Sequence, residues 1–332
     1  MKKEPLVSII IVNWNGEKWL KDCFESIYAQ TYKNFEIVFV DNDSKDNSTY
    51  FVRKNFPKTK IIQNKKNLGF GVANNIAVKK SKGDILFFLN NDTKLFPETI
   101  RKLVRFKKKT KSNIIGPRIL DLNKKDTLYN GFISIDLLGY PGPSINKLFY
   151  IEGCALMIDK KSFIELGGFD PKYFMYGEDV DLCWRAHLYN LKLAICESAK
   201  LVHFAGGSST KTRYTKGKIH TIPIFRRYEV EKNNLRTILK NYKIINLFWI
   251  IPSFILQNIM ESLLYLFTKN FKMFKIIFKA LYWNLVNIKD TLKMRKVIQR
   301  KRIITDNKII RKMTFKLNKL SMLMVMGVPK YK

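Results

Sequence analysis

The chain has 332 residues, 46% of them apolar, and carries 61 Lys and Arg against 27 Asp and Glu, a formal charge of +34. That length suffices for one large domain with an appendage or two modest domains, and the charge calls for an anionic partner: nucleic acid, anionic lipid or a phosphorylated substrate. Four cysteines without CxxC or Cys/His spacing exclude a zinc or disulfide framework and read as buried thiols of a reducing compartment.

The apolar run that opens the chain is about seven residues long and contains Ser8, so it reads as a first strand and not as a signal peptide. Cytoplasmic placement is the expectation that follows. Val7–Val12 is a continuous apolar run of the kind buried on both faces of a parallel sheet. Glu17–Tyr28 has helical spacing, with Trp19, Leu20, Phe24 and Ile27 on one side. Phe35–Val40 is a second strand, Thr49–Asn55 a helix stopped before Pro57, Ile61–Gln63 a short strand and Gly71–Lys79 a helix. Asp84–Leu89 is the strongest strand, and Pro97–Lys107 a helix with a basic outer side. This alternation predicts a doubly wound α/β sheet, in which ligands bind beyond the carboxyl ends of the strands.

Residues 113–150 are less regular and read as loops and short strands. Gly153–Asp159 is another apolar strand, followed by a Gly- and aromatic-rich loop running into a helix, and Leu193–Cys196 and Leu201–Phe204 read as two short strands. Beyond Arg226 the pattern is helical. Pro252 is expected to start a helix with a polar stripe of Gln257, Asn258, Glu261 and Ser262. The longest apolar run, Leu247–Leu256, falls short of the roughly 20 residues a spanning helix needs, so the tail is expected to form amphipathic helices without a transmembrane span. Residues 232–332 hold 22 Lys and Arg and 3 Asp and Glu, which makes the tail almost purely basic.

Three carboxylate-rich turns follow strand-like or loop segments. In DNDSKDNS, Asp41 comes directly after a buried strand, where a carboxylate accepts hydrogen bonds from a base N–H or a ribose hydroxyl; a solvated Asx turn is the plainer alternative. In LNNDT, Asp92 with an amide oxygen suits a hard divalent cation, and equally a turn or helix cap. In YGEDVDLCWR, Glu178, Asp179 and Asp181 open a helix, where acidic residues suit the dipole and Asp181 can pair with Arg185. His203 precedes Gly206-Gly207-Ser208, a potential phosphate-binding loop. No Walker motif or GxGxxG occurs, which weighs against ATPase and dinucleotide chemistry.

Taken in order, SIIIVNWNG, VDNDSKDNS, KNLGFGVANNIA, LNNDT, GGFDPKYFMYGEDVDLCWRA and HFAGGSS resemble the family 2 glycosyltransferases, inverting enzymes of GT-A fold, and most of all their rhamnosyltransferase-like branch. The resemblance runs from about Leu6 to Tyr242. It implies an α/β GT-A nucleotide-diphospho-sugar transferase fold over residues 1–243, while the charge and apolar pattern of 244–332 predict a basic amphipathic helical, membrane-associating extension. It places Asn13 and Asn15 along the nucleotide pocket, Asp41 and Asn42 on the base or ribose, and Asn67, Gly69, Asn74 and Asn91 at the donor site. Asp92 takes the metal position with His203 as a diphosphate or metal contact, and Asp179 is the base with Glu178 beside it.

Two departures stand out: Asn90 and Asn91 leave a single carboxylate in the metal motif, and Asn47 replaces a usual turn glycine. The implied reaction moves a sugar from a thymidine- or uridine-diphosphate donor to a hydroxyl of a lipid-linked or cell-surface glycan. Mn2+ or Mg2+ assists, and the enzyme works peripherally on the cytoplasmic side of an anionic membrane. The competing readings are a basic nucleic-acid-binding protein, which lacks any supporting motif here and would set its acidic turns against phosphate, and a non-catalytic scaffold, against which intact Asp92 and Asp179 argue.

Overall fold

The computed structural model describes residues 4–120, 133–144, 146–204, 221–326 and 330–331. Its first half alternates strand and helix as the periodicity demands: β1 (Val7–Asn13), α1 (Glu17–Tyr28), β2 (Phe35–Asp41), α2 (Ser48–Asn55), β3 (Lys60–Gln63), α3 (Phe70–Lys80) and β4 (Ile85–Leu89). These four strands are parallel, in the order β3-β2-β1-β4. Then come β5 (Thr93–Leu95), α4 (Thr99–Thr110), β6 (Ile114–Leu120), a small hairpin of β7 (Ile133–Ile135) and β8 (Pro141–Pro143), β9 (Ala155–Asp159), α5 (Lys160–Glu165), α6 (Glu178–Leu188) and β10 (Leu193–His203). They extend the sheet as β9-β6-β10-β5, with β9 antiparallel to β4 and β6, and β5 antiparallel to β10. The sheet is therefore mixed, and only its first half is the parallel winding expected.

Period-2 alternation sorts the core. Ile9, Ile11, Phe39 and Phe87 face α1, α2 and α4, while Ile10, Val38, Val40 and Phe88 face α3, α6 and the C-terminal helices. The two short strands expected at 193–204 are one strand. Its pairing to β6 jumps from Cys196 to Lys200, so residues 197–199 bulge out and break the apolar run that sequence periodicity follows. All four cysteines are buried and unpaired.

The chain closes with α7 (Ile224–Asn241), α8 (Ile244–Phe267), α9 (Phe271–Val286), α10 (Ile288–Lys301), α11 (Asp306–Ile310) and α12 (Asn318–Met326). Leu235, Ile238, Tyr242, Ile250, Phe254 and Ile298 join the core that covers the sheet face beneath α6. Pro252, expected to open a helix, lies inside α8, which is 24 residues long. Buried Leu247, Ile250 and Phe254 clamp the helix on both sides of the proline and keep it continuous where sequence alone suggests a start. By length and composition α8 is apolar enough to cross a membrane, because it extends well beyond the Leu247–Leu256 run from which no span was expected.

Its packing is the reverse of an ordinary surface helix. The polar stripe faces inward: Asn258, Glu261 and Ser262 are buried, and Glu261 pairs with Arg227 (2.6 Å) and with Lys319, both of which also hold Glu231. The outward face carries Ile245, Phe248, Leu256, Met260 and Phe267, with Phe248 73% and Phe267 85% exposed. This ion cluster ties α8 along the globular body and opposes its leaving for a bilayer interior.

A second ion cluster, buried except for Asp290 at its outer end, joins the loop before α6 to α6, α7 and α10. Lys240 bridges Asp170 and Asp181 (3.0 Å to Asp181), Arg236 binds Asp170 (2.9 Å) and Asp290 (2.6 Å), and Asp181 also takes Arg185 at hydrogen-bonding distance (3.0 Å). Burial works against ionisation of Asp170, but Lys240 and Arg236 more than compensate and hold its carboxyl well below the usual range. Lys240→Met leaves two buried carboxylates short of a cation. It is expected to lower the unfolding free energy by about 3–5 kcal/mol, read from urea denaturation, and a loss under about 1 kcal/mol would show the cluster to be dispensable.

Candidate functional site

The carboxyl ends of the parallel strands reach one edge of the sheet, and because β9 and β5 run the other way their starts meet the same edge. β1 and β4 align so that Asn13 comes level with Asn91, whose amide donates to Asn13 Oδ1 at 2.6 Å. Asn13 Nδ2 donates in turn to Ser44 Oγ (3.1 Å). Asn13 and Asn91 thus lock the two turns together. Asn15 stands at the rim in a left-handed conformation (φ 49°), its Oδ1 accepting the Lys45 N–H at 2.7 Å. The left-handed position in the Asp41–Ser48 turn belongs to Asp43 (φ 67°); Asn47 has φ −83°, so replacing glycine there demands no strain.

Asp41, at the end of β2, is buried, and its Oδ1 has no hydrogen-bond partner among the described residues. A buried carboxylate oxygen left unpaired is costly unless a ligand supplies a donor. Asn42, expected on the base or ribose, spends its side chain on the following loop instead: it donates to Asn67 Oδ1 (2.8 Å) and accepts from Asn64 and the Leu68 N–H. Asn67 also caps the Gly69 N–H (2.9 Å). Gly69 has φ +79°, and a Cβ there would lie 2.3 Å from the Phe174 carbonyl oxygen, so only glycine admits this approach. Asn74 is buried and its Nδ2 bonds back to the Phe70 carbonyl (2.9 Å) within α3.

On the other side of the crevice, Asp92 is 5% exposed and hydrogen-bonds His203 Nε2 (3.1 Å). Burial pulls the imidazole down, and the adjacent Cys154 sulfur and the Asp92 carboxylate more than offset it, leaving His203 well above its usual range. Residues 206–208, read as a phosphate-binding loop, lie outside the described residues. With the proton shared by Asp92 and His203 displaced, the pair would offer one carboxylate oxygen and one imidazole nitrogen to a divalent cation such as Mn2+. No three His, Cys, Asp or Glu converge among the described residues, so a cation here would draw its remaining ligands from diphosphate and water.

Asp179 opens α6. Its Oδ2 accepts the Gly153 N–H (2.9 Å) and its Oδ1 accepts the Val180 N–H (2.8 Å); burial nevertheless raises it above the usual carboxylate range. Glu178 is buried with Oε2 unpaired among the described residues, and burial with the Asp179 charge pushes it up to about 8.

Sequence reading missed Glu152, which is half-buried in the turn just before β9. Burial, opposed by His203 and reinforced by Asp179, pushes it up to about 7. The tripeptide Glu152-Gly153-Cys154 thereby joins the Asp92–His203 corner to Asp179; only the antiparallel run of β9 brings it to this edge. Asn75 and Asn233 were also missed. Asn75 clasps Phe169 in both directions, and Asn233 of α7 donates to the Met175 and Tyr176 carbonyls (2.9 and 2.7 Å), holding Tyr176 at φ +70° immediately before α6.

This edge, with the unpaired Asp41 oxygen on one side and the Asp92–His203 corner beside Asp179 on the other, belongs to a GT-A fold. The glycosyl transferase family 2 domain matches residues 8–167, and the N-terminal domain of galactosyltransferase matches residues 140–206. Residues 8–167, just under half of the chain, thus carry the likeness to glycosyl transferase family 2. It is 29% identical over 210 residues to the low-salt glycan biosynthesis hexosyltransferase Agl10 of Haloferax volcanii, covering 59% of this chain and 66% of that protein. It is 36% identical over 185 residues to an uncharacterized glycosyltransferase of Rickettsia felis, covering 50% of this chain and 29% of the other. The chain thus spans less than two thirds of either relative. Among solved structures it superposes on GalNAc-T7 with UDP, GalNAc and Mn2+ at a TM-score of 0.57 and 17% identity, covering 72% of this chain and 48% of that one, which establishes the shared fold.

The buried Glu178 gives a pH signature. Its carboxyl titrates near 4.5 when unfolded and near 8 when folded, so across that interval the unfolded chain binds fewer protons and stability falls as pH rises. The contribution is full below about 4.5 and is lost as pH climbs through about 8. Glu178→Gln should flatten this decline in denaturation midpoints measured from pH 5 to pH 8; an unchanged slope would mean that Glu178 ionises freely in the fold.

Proposed function

We propose that the chain is an inverting glycosyltransferase that moves a sugar, rhamnose being one candidate, from a uridine- or thymidine-diphosphate donor to a hydroxyl of a lipid-linked or cell-surface glycan. The observation that supports this most is Asp179, fixed by the Gly153 N–H one residue from Glu152 on one side and one from Cys154 of the Cys154–His203–Asp92 corner on the other. An acceptor hydroxyl is a weak nucleophile, and Asp179, raised by burial, is suited to take its proton as it attacks the anomeric carbon. The unpaired Asp41 Oδ1 suits the N3–H of a pyrimidine base. Asp92 and His203 would hold a divalent cation, which supplies positive charge against the departing diphosphate. One displacement with one base inverts the anomeric centre.

Peripheral docking on an anionic membrane belongs to the same reading. Each large apolar side chain on the outward face of α8 would gain about 1.5–3 kcal/mol from full burial, and the basic tail favours anionic lipid. Ile224, at the start of α7, packs on Tyr265 and Met273, and its neighbour Phe225 meets Phe174 edge-on (5.7 Å). The α8–α9 turn therefore sits near the loop that leads into α6 and Asp179, a fitting place for an acceptor held in lipid.

Asp179→Asn keeps shape and removes the proton acceptor. Transfer should fall at least ~10²-fold while calorimetry shows uridine diphosphate still bound, and near-normal turnover would sink the assignment. In the parent protein the acid limb of the pH–rate profile should lie above the ordinary carboxylate range, since only ionised Asp179 acts as a base. Chelation should strongly reduce transfer and Mn2+ or Mg2+ restore it, whereas full activity in excess chelator would remove the cation from the mechanism.

A further inference from the structure

Away from the sheet edge, the start of α8 and the outer side of α10 enclose an open groove of about 430 Å³ lined by Lys243, Ile244, Ile245, Leu292, Arg295 and Lys296, with Gln299 beside them. Three cations share it, and none has a carboxylate within ion-pair distance among the described residues. Arg295 spends one nitrogen on the Leu239 and Tyr242 carbonyls (2.6 Å each), and burial, with no acid to offset it, holds its guanidinium below its ordinary value. Asp306, the acid at this end of α8, is already committed: it is buried, caps the Lys243 N–H and pairs with Arg302. The apolar members point outward, with Ile244 and Ile245 about two-thirds exposed, and continue directly into Phe248 and Trp249 along the outward face of α8.

An uncompensated cationic patch joined to an exposed apolar helix face matches one chemistry, an anion carried on hydrocarbon. We propose that this groove seats the phosphate of an anionic phospholipid, with the acyl chains lying along Ile245, Phe248 and Trp249. Charge complementarity selects the lipid headgroup, and the reversed amphipathicity of α8 selects a bilayer over a free anion. Docked this way, α8 lies in the plane of the membrane with its Glu261 stripe against protein. The occupant rests on the membrane reading above, but the groove does not depend on the transfer reaction.

The experiment is vesicle co-sedimentation of the full chain without donor or acceptor, using phosphatidylcholine alone and phosphatidylcholine with phosphatidylglycerol. Lys243→Glu/Lys296→Glu reverses two exposed groove charges. Lys108→Glu/Lys109→Glu makes the same change in net charge on exposed residues of α4, across the sheet. At about 1 kcal/mol per basic residue near an anionic surface, the groove variant should bind phosphatidylglycerol vesicles at least ~10-fold more weakly, with the α4 variant close to the parent. Thermal unfolding of both variants should match the parent, which separates lost docking from lost fold. Equal weakening by both variants would reduce the effect to diffuse attraction, and undiminished binding of the groove variant, or displacement from vesicles by inorganic phosphate at equal concentration to the lipid, would overturn the site. Failure of nucleotide-sugar transfer would leave this result standing.

Discussion

Lys240 is the residue on which the site's geometry depends. It lies fully buried between Asp170, in the loop before α6, and Asp181, in the first turn of α6. A buried cation of this kind is tolerable only when both carboxylates stay in place, and they stay in place only when Arg185 and Arg236 share them. The loop and helix that present Asp179 are thereby tied to α7, and Arg236 carries the tie onward to α10 through Asp290 and Thr291. Asn233, two turns earlier on α7, holds the Met175 and Tyr176 carbonyls and keeps the left-handed turn that aims α6 at the crevice. The C-terminal helices are in this sense the wall against which Asp179 is set.

The donor side is built by a different device. Asn13, Asn42, Asn67 and Asn91 bond one another and nearby backbone instead of leaving their amides free, so the turns after β1, β2 and β4 form a rigid rim. Within that rim few groups remain unspent, and Asp41 Oδ1 is the clearest. A stiff rim with a small number of unpaired acceptors suits recognition of a nucleotide whose orientation must be fixed before its sugar can be attacked.

Much of this was legible in the sequence because the first half of the chain obeys simple periodicities. Val7–Asn13, Phe35–Asp41 and Ile85–Leu89 are buried on both faces and read as apolar runs, and α1 matches its sequence pattern from end to end. The acidic turns stand out because they follow those strands. Glu152 was invisible for the opposite reason: it precedes β9, and only a strand-order reversal brings a residue before a strand to an edge made by residues after strands. Asn233 and Lys240 were hidden because a polar residue in a basic helix looks solvated until its partner, some 60 residues away in the chain, is known. Helix α8 was misread at Pro252 because packing on both sides overrode a local breaker, and the sequence showed its polar stripe without showing that the stripe faces protein.

The central claim is that a single carboxylate, Asp179, drives one direct displacement at the sugar, and the anomeric configuration of the product tests it most directly. Proton NMR of the glycoside formed from a donor of known configuration reads that centre without reference to rate or affinity. The arrangement of Asp179 beside Gly153 predicts complete inversion relative to the nucleotide sugar. A product with retained configuration would contradict it, since retention requires a second displacement or a nucleophile on the face opposite the base.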